Sequence, residues 1–134
     1  MSGNTVTTNK VTTLITGLRT VGVSVSNQDR ALEFYTGVLG LVKSLDIEVG
    51  SGKRWIEVMP VGGGTTIALV CASLGAPASV ETGIRLSTQD ADALHAHLLE
   101  HGASADEVLR WPGVPPMFAF RDQDGNGLEI VQDT

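Results

Sequence analysis

The stretch GVSVSNQD at residues 22–29 and the stretch GIRLSTQD at residues 83–90 carry nearly the same eight residues, 61 positions apart. Four of the eight positions are identical. Each copy alternates polar and apolar residues, which predicts a short β-strand, and each is followed by apolar residues at helical spacing. Gly40 and Gly102 are the predicted helix ends. Each copy therefore predicts a strand that leads into an amphipathic helix.

More strand-like sequence follows each helix. RWIEVMP and TTIALVC flank the glycine turn VGGG in the first half, and PMFAFRD and LEIVQ flank the turn QDGNG in the second. The same offset of 61 relates Glu129 in the last strand to Ala68 in the first half. We predict an α+β fold of tandem βαβββ modules, at about residues 18–71 and 82–132, whose curved mixed sheets form a cleft with the helices outside. Residues 1–16 are predicted to be a flexible arm, and residues 17–134 a single domain.

The composition limits the classes of partner. The 134-residue chain is 42% hydrophobic and 18% charged, with a formal net charge of −6. An acidic chain without a basic stripe is not expected to bind nucleic acid or an anionic membrane. No stretch resembles a signal peptide, and none approaches the roughly 20 apolar residues of a membrane helix. We expect a soluble, cytoplasmic protein.

Strand alternation assigns the two faces of each sheet. In the first strand, the side chains of the three valines at positions 21, 23 and 25 are predicted to pack under the helix, whereas Thr20 and Ser24 point to the opposite face. In the second copy, Gly83 and Arg85 are predicted to face away from the helix. The faces without helices should line the cleft, where we expect the functional site.

VSNQDRALEFYTGVLGL resembles the first-module signature of the vicinal-oxygen-chelate superfamily, which includes glyoxalase I, bleomycin-resistance proteins and extradiol dioxygenases. FAFRDQDGNGLEIVQ is similar to the C-terminal hairpin of that family, so the resemblance covers about residues 18–132. It implies a divalent metal held by residues from the first and last strand of each module. The matching positions are Thr20, Ala68, Gly83 and Glu129. Only Glu129 is a competent ligand, and a catalytic site needs about three. We expect no cofactor, with a divalent metal in an atypical site as the alternative.

Other residues are candidates for the cleft. Glu129 is the candidate catalytic base. Arg85 either forms a salt bridge with Glu129 or holds an anionic or carbonyl-bearing ligand, and the face of Glu57 is ambiguous. Aromatic side chains stack on flat ligands in drug-binding members of the family, although core packing is an equal interpretation for each one here. The predicted ligand-contacting residues are Thr20, Ser24, Trp55, Ala68, Gly83, Arg85, Trp111, Phe118 and Phe120.

Two functions agree with these observations. The first is binding of a small, hydrophobic or flat organic molecule in the cleft, without the family's usual metal. The alternative is a glyoxalase-type isomerase or lyase that uses Glu129 as a base, with an atypical or absent metal. Because catalysis needs an acid or electrophile besides the base, the few titratable cleft residues favour binding. The resemblance also implies a homodimer with clefts at or near the interface.

Overall fold

The computed structural model describes residues 14–74 and 77–133. Two modules with the order βαβββ follow one another, which confirms the predicted α+β architecture. The first contains β1 (Thr20–Val25), α1 (Gln28–Leu32), β2 (Val42–Gly50), β3 (Lys53–Met59) and β4 (Thr66–Cys71). The second contains β5 (Glu81–Thr88), α2 (Ala91–Glu100), β6 (Ser104–Ala105), β7 (Met117–Arg121) and β8 (Gly127–Gln132). The sequence patterns did not place β2 and β6 individually.

Each module forms one mixed four-stranded sheet. The strand orders are β1-β4-β3-β2 and β5-β8-β7-β6, so the two sheets have the same topology. In each, the first strand is parallel to the last, and the remaining pairs are antiparallel. The first and last strands of a module are therefore direct neighbours, as the family's ligand pattern requires.

Both helices begin at a polar cap. The Asn27 side chain accepts a hydrogen bond from the backbone nitrogen of Arg30 at 3.0 Å, and Asp90 accepts one from Ala93 at 3.0 Å. A π-helical stretch (Glu33–Val38) extends α1. The predicted helix ends are confirmed. Gly40 follows the π-helical stretch and Gly102 follows α2, each with φ 78°.

One hydrophobic core extends over both modules. The valines on the helix side of β1 pack with the buried face of α1, as predicted. The stacked rings of Phe34 and Phe120, with centroids 6.4 Å apart, join the helical segment of the first module to the sheet of the second. The buried members of this core are Val23, Val25, Ala31, Tyr35, Ile56, Val58, Ile67, Leu69, Ala91, Leu98, Phe118, Phe120, Leu128 and Ile130.

The turn between β7 and β8 connects the second module to the first through buried hydrogen bonds. Asn126 is fully buried, and its amide nitrogen donates to the carbonyl of Ser24 at 2.9 Å. Its amide oxygen accepts from the backbone nitrogen of Ser79 at 2.7 Å. The Tyr35 hydroxyl donates to the carboxylate of Asp122 at 2.7 Å. Buried polar groups need such partners, so this network fixes how the modules pack.

Residues 1–13 of the predicted flexible arm lie outside the described residues. Within residues 14–74 and 77–133, no helix has the length and apolarity that crossing a membrane requires.

Candidate functional site

The cleft face of each sheet is defined here as the face away from the core. In the second module it carries Arg85, Ala119 and Glu129, since Arg85 and Ala119 are the register partners of Glu129. Arg85 Nε lies 2.8 Å from Glu129 Oε1, with the two side chains 65% and 43% exposed. The sequence left open whether Arg85 pairs with Glu129 or holds a ligand, and in the structure Arg85 pairs with Glu129. The remaining guanidinium surface is open to a ligand.

A β-bulge in β5 changes the expected ligand register. In the first module, Gly22 pairs with Ala68. The offset of 61 would pair Gly83 with Glu129, but the register shifts between Glu81 and Arg85, so that Arg85 stands opposite Glu129. The pairing of Gly22 with Ala68 in the first module is therefore matched in the second by Arg85 and Glu129, not by Gly83 and Glu129.

The conformation of this bulge explains the shift. Gly83 has φ 76°, a left-handed conformation that glycine adopts without strain. The Thr82 hydroxyl donates to the carbonyl of Gly127 at 2.7 Å and accepts from the backbone nitrogen of Ile84 at 3.1 Å. A threonine followed by glycine in a strand was the available sequence signal, because a glycine inside a strand often marks a bulge.

The cleft face of the first module carries Trp55, Glu57 and Ala68. Glu57 is the register partner of Ala68, which settles its ambiguous face. Glu57 is only 4% exposed. It accepts hydrogen bonds from Trp55 Nε1 and from the Thr66 hydroxyl, each at 2.8 Å. The hydrogen bond from Trp55 is the largest influence that holds the pKa of Glu57 below its ordinary value of 4.5; the bond from Thr66 and the charge of Arg19 act in the same direction.

The remaining predicted residues of the first module are largely engaged by the fold. Thr20 is half-buried, and its hydroxyl donates to the carbonyl of Thr66 at 3.2 Å. Ser24 is half-buried and accepts the hydrogen bond from Asn126 through its backbone. Ala68 is 1% exposed. Alternation places Thr20 and Ser24 on the cleft face, where they offer only neutral polar groups.

The four aromatic candidates divide into two pairs. Phe118 and Phe120 belong to the hydrophobic core, each 1% exposed, because their register partners on β8 are the core residues Ile130 and Leu128. Core packing, the alternative interpretation of these two rings, therefore accounts for Phe120, whereas Phe118 also borders the cavity beside Glu129. Trp55 and Trp111 remain accessible, 38% and 57% exposed.

Cavities lie beside the cleft faces. One of about 260 Å³ adjoins Glu129 and is lined by Asp106, Glu107, Leu109, Met117, Phe118, Ala119 and Glu129. Another, of about 490 Å³, lies between the two modules and brings Gly22 and Thr66 close to Gly83 and Arg85. A third, of about 470 Å³, also borders Arg85. Drug-sized ligands typically occupy about 300–1,000 Å³, so the two cavities beside Arg85 are in that range and the one beside Glu129 is just below it.

The residues at the family's ligand positions do not fit a divalent metal. The side chains of Ala68 and Gly83 have no ligand atom, Thr20 offers only a neutral hydroxyl, and the Glu129 carboxylate is paired with the guanidinium of Arg85. Within residues 14–74 and 77–133, no group of three or more histidine, cysteine, aspartate or glutamate side chains is placed to hold a metal. A catalytic site needs about three protein ligands, which this set cannot supply.

Residues 17–130 match the model of the Glyoxalase/Bleomycin resistance protein/Dioxygenase superfamily. The chain therefore belongs to this superfamily, as the sequence resemblance implied. No curated protein matches the chain.

Solved structures show the same relationship. TnmS3, an antibiotic binding protein from Streptomyces sp. CB03234, is 32% identical with a TM-score of 0.78, and the match covers 90% of this chain and 98% of that one. A superfamily member from Sphaerobacter thermophilus DSM 20745 is 30% identical with a TM-score of 0.82, covering 90% and 99%. A lactoylglutathione lyase from Agrobacterium tumefaciens is 18% identical with a TM-score of 0.70, covering 88% and 94%, which shows a shared fold.

Proposed function

We propose that this protein binds a small, flat or hydrophobic organic molecule on its cleft faces, without the metal that the family's enzymes use. The ion pair between Arg85 and Glu129 carries the proposal, because the only metal-competent position already has a cation at 2.8 Å. A second cation beside this carboxylate would be repelled by the guanidinium. The 32% identity to an antibiotic-binding protein supports an antibiotic-like ligand.

The surfaces beside the ion pair suit an aromatic ligand. The cavity next to Glu129 has apolar walls from Leu109, Met117 and Ala119. Across the two modules, Trp55 and Trp111 present accessible indole rings. Such sites combine apolar walls with a few polar groups that orient the ligand. In this proposal the rings and apolar walls provide affinity, and the free guanidinium nitrogens of Arg85 orient a carbonyl or anionic group.

A homodimer is part of the proposal. Large apolar side chains are exposed near both cleft faces, including Ile47 at 51% and Leu109 at 43%. Ile47 is the register partner of Trp55, so it lies at the edge of the first module's cleft face. Exposed apolar surface of this kind is typical of an interface. Sedimentation velocity of the purified protein tests this, with a dimer as the expected species.

The alternative function, a glyoxalase-type isomerase or lyase with Glu129 as base, has less support. Such a reaction needs an acid or electrophile beside the base. The side chain bonded to Glu129 is the guanidinium of Arg85, which offers hydrogen-bond donors and no acceptor. The site therefore offers a carboxylate and a fixed cation, a combination that suits orientation of a ligand better than proton transfer.

The test begins with the metal content of protein purified without a histidine tag. Titration with Ni²⁺, Zn²⁺, Mn²⁺ and Fe²⁺ by calorimetry should show no saturable uptake. The Glu129→Ala variant and the control Glu107→Ala, which removes another acid from the same cavity, should behave alike. Stoichiometric uptake that only Glu129→Ala abolishes would contradict the proposal and favour the lyase or isomerase.

Binding is measured on the same preparation. Bleomycin and the planar antibiotic daunorubicin are titrated while tryptophan fluorescence is followed, with Trp55→Phe and Trp111→Phe identifying the responding ring. Saturable quenching that depends on one of these rings supports the proposal. If neither compound quenches either tryptophan and neither raises the melting temperature, antibiotic binding of these two classes is refuted.

A further inference from the structure

Glu57 and Trp55 form a unit on the cleft face of the first module. They lie two residues apart on β3, so their side chains project from the same face. The indole nitrogen reaches back to the Glu57 carboxylate at 2.8 Å. The polar edge of the ring therefore points along the strand toward a buried group. The ring itself stays 38% exposed.

The carboxylate is itself held in place. The Thr66 hydroxyl on the neighbouring strand donates to its other oxygen at 2.8 Å, and Arg19 lies 3.7 Å from that oxygen with its own side chain 75% exposed. A carboxylate that is 4% exposed needs such donors, because burying an unpartnered charge is strongly unfavourable. Glu57 is thus a fixed acceptor for Trp55.

Among residues 14–74 and 77–133, no carboxylate holds the indole nitrogen of the other accessible tryptophan in this way. Trp111 is 57% exposed and lies between β6 and β7. An indole whose N–H is bonded to a fixed carboxylate loses little freedom when a ligand stacks on it, since its orientation is set in advance. Trp55 is therefore the better prepared of the two rings.

We infer that Glu57 is a positioning residue, which holds the Trp55 indole as a stacking surface for a planar aromatic ligand. The inference rests on the proposed function and names the ligand class and the ring that receives it. Glu57 acts through Trp55 and needs no contact with the ligand. Two stacked aromatic rings stabilise a complex by more than their buried area alone accounts for, so the gain in binding free energy depends on how the rings are oriented.

The first test measures the mobility of Trp55 without a ligand. The chain has two tryptophans, so a Trp111→Phe parent reports Trp55 alone. Glu57→Leu in this parent should lower the fluorescence anisotropy and raise acrylamide quenching of Trp55 by about twofold, because an indole without its acceptor samples other rotamers. Glu57→Gln keeps an acceptor oxygen and should restore most of the parent signal. Equal quenching in the parent and Glu57→Leu would overturn the inference.

The second test is a double-mutant cycle with proflavine, a planar three-ring dye, as the probe. In the protein with both tryptophans present, Glu57→Leu should weaken proflavine binding about fivefold, as expected for losing an oriented aromatic contact. In the presence of Trp55→Phe, the same substitution should have no further effect. An equal loss with and without Trp55→Phe would show that Glu57 acts by another route and overturn the positioning role.

The two tests separate failure of the inference from failure of the proposed function. If proflavine does not bind the otherwise unchanged protein although Glu57 still restricts Trp55, the planar ligand class is overturned and the local positioning stands. If proflavine binds the unchanged protein and the cycle shows no coupling, the binding function stands and the role of Glu57 is overturned.

Discussion

Replacing Asn126 with alanine should destabilise the protein by about 3 to 4 kcal/mol, because the amide is fully buried and makes four side-chain hydrogen bonds at about 1 kcal/mol each. Two are donated, to the Ser24 carbonyl at 2.9 Å and to Asp122 at 3.0 Å. Two are accepted, from the backbone nitrogens of Ser79 and Val80 at 2.7 and 3.1 Å. The truncation leaves all four partners short of a bond, and the bond to the Ser24 carbonyl is the one that joins the two modules.

The assay is urea denaturation followed by circular dichroism, with the m-value checked for a single transition. Gln89→Ala removes an amide from an exposed position and should change the free energy of unfolding by less than about 0.5 kcal/mol. Tyr35→Phe removes the hydroxyl that donates to Asp122 at 2.7 Å and should cost about 1 to 2 kcal/mol. A loss below about 1 kcal/mol for Asn126→Ala would refute the reasoning and leave the apolar core as the main connection between the modules.

Three further outcomes follow from individual residues. Gly83→Ala should lower the free energy of unfolding by about 1 to 2 kcal/mol through backbone strain alone, since φ is 76° and no atom lies within 4 Å of the added methyl group. An unchanged free energy of unfolding in urea would contradict the left-handed conformation of the bulge. Phe118→Ala should cost about 3 to 5 kcal/mol, whereas Trp111→Ala should cost little; similar losses in thermal melts would place both rings in the core. Because folding lowers the pKa of Glu57, the carboxylate stabilises the folded state above pH 4.5, and this contribution should be lost as the pH falls through the pKa that Glu57 has in the folded protein. Glu57→Gln should therefore flatten the acidic part of the plot of unfolding free energy against pH.

The fold was predictable because its signals are local and repeated. Alternation in β1 placed Val23 and Val25 under the helix, and the glycines after both helices ended them where the structure does. Helical spacing and turn residues act over a few positions, so one sequence suffices to read them. Strand β2 was not placed, although Leu45, Ile47 and Val49 alternate with polar residues. Its pairing with β3 shifts twice, and Ile47 and Val49 are more than half exposed, so neither regular pairing nor burial marks it.

The site was predicted less well because side-chain faces and register depend on neighbouring strands. Phe118 and Phe120 read equally as rim or core residues until their pairing with β8 was known. Glu57 was ambiguous for the same reason, and its bond to Trp55 depends on a rotamer that no sequence pattern specifies. The ion pair of Arg85 and Glu129 was anticipated as one of two alternatives because both residues were assigned to the cleft face.

The repeat itself gave an offset that holds for only part of each module. Thr20 pairs with Thr66 as Glu81 pairs with Gly127, in agreement with an offset of 61. Beyond the bulge, β5 is offset from β1 by 63, since Arg85 pairs with Glu129 as Gly22 pairs with Ala68, whereas β8 keeps the offset of 61 from β4. The helix caps Asn27 and Asp90 are 63 residues apart, although the sequence aligns Asp29 with Asp90. Sequence identity in the repeated stretch therefore hides a shift of two residues.

Two histidine substitutions decide between these offsets. Arg85→His places an imidazole on the strand neighbour of Glu129, where two side chains about 5 Å apart at Cβ are within reach of one Zn²⁺. Gly83→His places it in the bulge, out of register with Glu129. The matched comparison is Gly83→His combined with Arg85→Ala, so that neither protein keeps the guanidinium beside Glu129. We expect Arg85→His to bind Zn²⁺ at least about tenfold more tightly than this double variant in calorimetry, because only the first forms a chelating pair. Adding Glu129→Ala to Arg85→His should remove the difference. If the double variant binds as tightly as Arg85→His, the offset of 61 holds through the site.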